Sequence, residues 1–238
     1  MADESERGLT GFLSRLGSRR APESSPASPT IETPPSAGEA PTQPTKALRK
    51  FLRTFEAQDA PVLLDLGPVI GPNLTFFGET LGCKVFIEDL YTDVEQHVRA
   101  GTTADLPAFF AQRLTQPAGS IDGILAWDLM DYLEAPAAQV LAAELSRIMK
   151  VNGALLAFFS TALQPADLHY TKFVIADDQT LRHRTYPASR GRQRVLQNRD
   201  IMRLFEALRV SDSFLLQTNL REILFRKPAY LKPSSNDV

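Results

Sequence analysis

The chain has 238 residues, 43% of them hydrophobic and 23% charged, the make-up of a globular protein with a real core. A formal charge of -2 gives no overall pull toward nucleic acid or an acidic membrane. The one cysteine, Cys83, excludes an intrachain disulfide and a cysteine-rich zinc site; it points to a reducing, cytoplasmic setting and reads as a buried thiol.

Asp3, Glu4 and Glu6 stand where a secretory leader would carry basic residues, and no apolar run approaches the ~20 residues of a membrane span. Leu9, Phe12, Leu13 and Leu16 follow the spacing of a short amphipathic helix within 8–20, with Arg15, Arg19 and Arg20 beside it. Such a segment could dock on a surface, though isolated helices this short are barely stable. Residues 21–45 contain seven prolines and eight serines or threonines. That composition cannot bury enough apolar area to offset chain entropy, so 1–46 is expected to be a disordered tail. The folded part is expected over 47–228, with 229–238 a flexible end.

From residue 47 the pattern alternates. A helix over 47–57 precedes a buried strand at 62–66. A helix over 72–82 ends at Gly82, and a strand follows at 83–88. Helices near 92–99 and 105–114 lead to a strand at 122–127. A strong helix over 136–149 has Pro136 near its start. The KVNG turn then opens a strand ending in ALLAFFS. A helix at 198–208 precedes two closing strands, 210–217 and 222–227. Alternating strands and helices argue for an α/β, doubly wound, mostly parallel sheet. The last two strands are too close for a helical crossover, so that pair should be antiparallel.

Ligands of open α/β sheets bind beyond the carboxyl ends of the strands. Four segments map there. Asp65-Leu-Gly67-Pro-Val-Ile-Gly71 follows the first strand, where glycines let the backbone approach a ligand. Glu88 and Asp89 end the second strand; a carboxylate there can accept from ribose hydroxyls, or can cap the next helix. Trp127-Asp-Leu-Met-Asp-Tyr132 follows the third and places Asp128 and Asp131 beside an indole and a phenol. The fourth is the turn from Arg147 to Gly153.

Together these segments resemble the class I S-adenosylmethionine (SAM)-dependent methyltransferase family. LLDLGPVIG resembles its first glycine motif, GCKVFIED its second strand with the ribose-binding acid at Asp89, IDGILAWDLMDYL its fourth-strand segment, and LSRIMKVNGALL its fifth. The resemblance spans 47–228. It implies a seven-stranded-type sheet with an antiparallel C-terminal strand, SAM as cofactor and methyl transfer to a small-molecule substrate. It also implies cofactor contacts from Asp65, Gly67, Gly71, Glu88, Asp89 and Asp128. Asp131, Tyr132 and His169 are candidate general bases, which this chemistry does not require. Direct displacement at the methyl group needs mainly alignment.

The sequence also departs from the pattern. Val69, a stiff β-branched residue, stands for the middle glycine and is expected to take space the cofactor needs. Thr102 falls where an acid often follows the third strand, and that strand is poorly formed. No N/D-P-P-Y/F follows 122–127. The G-x-G-x-x-G of nicotinamide binders and the P-loop lysine are both missing. A catalytically impaired, methyltransferase-like binding module is therefore the alternative.

One segment stands outside this scheme. Residues 172–203 hold eight lysines and arginines against three aspartates. Arg190, Arg192 and Arg194 could form an anion site, because guanidinium forks bind carboxylate and phosphate. An RNA-directed reading is disfavoured, since no aromatics interleave the arginines.

Overall fold

The computed structural model describes residues 42–162 and 168–229. The amphipathic segment, most of the tail and 230–238 lie outside the described residues. Six strands form the main sheet: β2 (Val62–Asp65), β3 (Lys84–Ile87), β4 (Ile121–Trp127), β5 (Met149–Ser160), β8 (Arg209–Leu215) and β9 (Leu220–Arg226). Their spatial order is β3-β2-β4-β5-β9-β8. The pairs β2–β3, β2–β4 and β4–β5 are parallel; β9 runs antiparallel to both β5 and β8. The expected topology is present, with one strand fewer among the described residues than in the seven-stranded form. Where the missing strand would lie, the weak GTTADLP segment is a short 3-10 turn, Thr103–Asp105, leading into a helix.

One face of the sheet is covered by α3 (Leu90–Ala100), α4 (Leu106–Arg113), α5 (Ala135–Ile148) and α6 (Asn198–Leu204). Leu141, Leu145 and Ile148 of α5 bury completely against Ile124, Leu155 and Phe159. The opposite face carries Phe51 and Phe55, from α1 (Leu48–Arg53) and the turn after it, over Leu63 and Leu156. Gly123 on β4 makes that contact possible. A Cβ there would stand 2.4 Å from Phe55 Cζ and 2.6 Å from Leu63 Cδ2. Gly123→Ala is therefore expected to cost about 1–3 kcal/mol in urea unfolding, the usual range for overpacking. A change below about 0.5 kcal/mol would mean that α1 yields freely.

A second sheet was not foreseen. β6 (His169–Ile175) and β7 (Thr180–Pro187) form an antiparallel hairpin, and β1 (Thr42–Pro44), which composition assigns to the tail, pairs with β7. Chain entry is fixed by Glu222 on β9, whose Oε2 accepts from the backbone N–H groups of Lys46 and Ala47, both at 2.8 Å. Among the described residues, no helix is long and apolar enough to cross a membrane.

Candidate functional site

The carboxyl ends of β2, β3, β4 and β5 meet where an open α/β sheet receives its ligand. Asp65 closes β2 and is buried. Its Oδ1 accepts from Gly67 N at 2.9 Å and from the Trp127 indole Nε1 at 2.6 Å. Burial pushes the Asp65 carboxyl up to about 6, against the pull of those two bonds. A Cβ on Gly67 would stand 3.0 Å from indole Cδ1 and 3.1 Å from Nε1. The glycine at this turn thus accommodates Trp127. Gly71, by contrast, has open space where a side chain would project.

Trp127 takes a left-handed backbone (φ 47°), which is strained for a bulky residue. Its ring stacks on Phe173 of β6 at 5.2 Å and 8°, and meets the edge of Phe158 on β5. Phe173 comes from the hairpin, which is bound to the start of α2 (Gly71–Thr75) through Asn73. The Asn73 side chain donates to Phe173 O at 2.9 Å and accepts from Ile175 N at 2.8 Å, completing the free edge of β6. The hairpin is thereby held against the first turn of α2, although Gly71 and Pro72 themselves stay exposed. Between Gly67, Pro68, Ile70, Tyr91, Trp127, Asp128 and Phe173 only about 10 Å3 remains, room for at most one water. Val69 is not the obstruction expected: it is 66% exposed. The indole and the hairpin phenyl close the crevice instead.

The other predicted acids are engaged as well. Asp89 caps α3, accepting from Thr92 N at 3.0 Å and from its hydroxyl at 2.8 Å, yet it also borders an open cleft of about 290 Å3 with Tyr91, Gln96 and Tyr170. Glu88 is bound by Arg113 Nη1 and by Gln116 at 2.8 Å. Asp128, 1% exposed, pairs with Arg192 Nη2 at 2.8 Å. Asp131, fully buried, accepts from Ser160 N at 2.7 Å and lies 3.7 Å from Arg192 Nε. Burial raises both carboxyls, that of Asp131 far above its ordinary range, with the charge of Asp128 adding to it. The Tyr132 hydroxyl donates to the His169 carbonyl at 3.1 Å, and burial raises it too. The His169 side chain is exposed, so Asp131, Tyr132 and His169 do not form one basic cluster.

The three arginines do not converge. Arg190 binds Glu134 at 2.7 Å, Arg192 enters the sheet end beside Asp128, and Arg194 lines a separate cavity with Asp200 and Arg203. Sequence reasoning missed Asn73, Phe173 and His183. The alternation in HYTKFVI and TLRHRTYP around a DDQ turn was the signal that could have found the hairpin.

Several solved structures are similar to this chain. The glycopeptide N-methyltransferase MtfA, complexed with SAM, is 14% identical, covering 76% of this chain and 92% of its own, with a TM-score of 0.43. The 1,6-didemethyltoxoflavin-N1-methyltransferase of Burkholderia thailandensis, with its substrate and S-adenosylhomocysteine bound, is 14% identical over 76% of this chain and 78% of its own (TM-score 0.44). A SAM-dependent methyltransferase from Aquifex aeolicus is 14% identical over 76% and 89% (TM-score 0.43). No protein-family model matches the sequence, and no curated protein is significantly similar to it.

Proposed function

We propose that this domain is a methyltransferase-like binding module whose cofactor crevice is filled by its own side chains. SAM is the cofactor that the fold and the sequence resemblance imply. As the side chains stand, the residues present do not fit it. The observation that carries this reading is the crevice of about 10 Å3 walled by Trp127 and Phe173. Small-molecule sites usually enclose about 300–1,000 Å3.

A second reading is a methyltransferase that opens its crevice to bind SAM and act on a small molecule. It is favoured by Asp89, which caps α3 but also faces the open cleft beside Tyr91. Trp127 is the sole tryptophan of the chain, so its fluorescence reports the crevice alone. Titration with S-adenosylhomocysteine is expected to leave its emission unchanged. A saturable shift of its maximum would support the opening enzyme instead.

A further inference from the structure

A second cavity, about 150 Å3, lies at the same sheet edge but on the far side of Phe173. Its walls are the end of β5 at Ser160, the turn Thr218–Asn219 entering β9, the hairpin face bearing Thr171 and His183, and Arg192. The polar lining is hydroxyl, amide, imidazole and guanidinium, with no carboxylate among the described lining residues. We propose that this cavity binds a small oxyanion, a carboxylate or a phosphoryl group, between Arg192 and His183.

Three observations carry the proposal. First, the walls supply donors of the kinds that hold oxyanions, and a guanidinium can hold one by two parallel bonds. Second, Arg192 is only partly engaged: Nη2 holds Asp128 at 2.8 Å, while Nε, 3.7 Å from Asp131, makes no hydrogen bond among the described residues. Guanidinium donors are rarely left without a hydrogen bond, so Arg192 has capacity for a further acceptor. Third, the described lining residues include a cation and a titratable base, Arg192 and His183, and no acid. Asp128 and Asp131 stand behind Arg192, at 2.8 Å from its Nη2 and 3.7 Å from its Nε, and both lie outside the cavity lining. His183 feels both burial and its neighbour: burial, then the Arg192 charge, lowers its proton affinity. An oxyanion bound between Arg192 and His183 would offset that charge and favour the protonated imidazole. Phe173 and Thr171 are walls of both cavities, but His183, through which the oxyanion site is read, lines only this one.

The test is NMR of the full chain, following the imidazole resonances of its three histidines, with His183→Gln assigning the one of interest. Sodium sulfate, inorganic phosphate and succinate are added separately, each against sodium chloride of equal ionic strength. A saturable shift confined to His183 is expected below about 10 mM for at least one of them. Saturation by sulfate and phosphate but not succinate assigns a phosphoryl ligand, and the reverse a carboxylate. Arg192→Lys keeps a cation beside Asp128 but loses the fork, and should weaken binding at least about tenfold. If that variant does not fold, Thr218→Val with Asn219→Gly removes two wall donors and should weaken it too. No shift beyond the chloride control for any of the three salts overturns the proposal, as does wild-type affinity in the folded variants.

Discussion

Arg192→Ala is expected to lose about 3–5 kcal/mol of stability, the range for removing one partner of a buried ion pair. Asp128 is 1% exposed and its charge is answered by Arg192 Nη2 at 2.8 Å. Alanine would leave that carboxylate buried in the sheet end, with the Tyr132 hydroxyl, 3.4 Å away, as a weak remaining side-chain contact. The deficit should depend on pH. Without Arg192, Asp128 in the folded state would hold its proton to a higher pH than in the unfolded chain. The loss would then shrink as pH falls and grow as pH rises through that raised value. Adding Asp128→Asn to Arg192→Ala should recover most of the loss, since no charge is left unpaired. Urea unfolding of the four proteins in this cycle measures it. A single-variant loss below about 1 kcal/mol would mean that solvent reaches Asp128 and screens it.

Asp65→Asn is expected to stabilise the protein at neutral pH. The folded-state carboxyl titrates at about 6, above its ordinary 3.8, chiefly through burial. The folded state therefore binds more protons than the unfolded state between those values. The contribution of Asp65 is complete below about pH 4 and is lost as pH rises through 6, roughly 3 kcal/mol in all. An asparagine Oδ1 can still accept from Gly67 N and Trp127 Nε1 but has no charge to desolvate. The melting temperatures of wild type and variant should coincide near pH 4 and separate above pH 6, with the variant higher. Parallel curves across that range would mean that Asp65 is not desolvated.

Much of this architecture is legible in the sequence because each cue has a local cause. Continuous apolar runs such as ILAW and ALLAFF are buried central strands, β4 and β5. The four-residue gap before the last strand forces an antiparallel pair, observed as β8–β9. What was not legible depends on contacts distant in the chain. Asn73 and Ile175 are 102 positions apart, and no local pattern joins them. Gly67 is ambiguous for the same reason: a glycine admits either a ligand or an indole, and only the fold shows that Trp127 fills the space. The arginine-rich segment reads as one charged block, but strand alternation and the chain path send its members to different partners.

The closed crevice is tested most directly by isothermal calorimetry of SAM with the wild-type chain and with Asp89→Ala. Neither protein is expected to give a saturating heat up to about millimolar ligand. Micromolar binding to wild type that Asp89→Ala abolishes would contradict the account, and would show that Trp127 and Phe173 move aside for a cofactor.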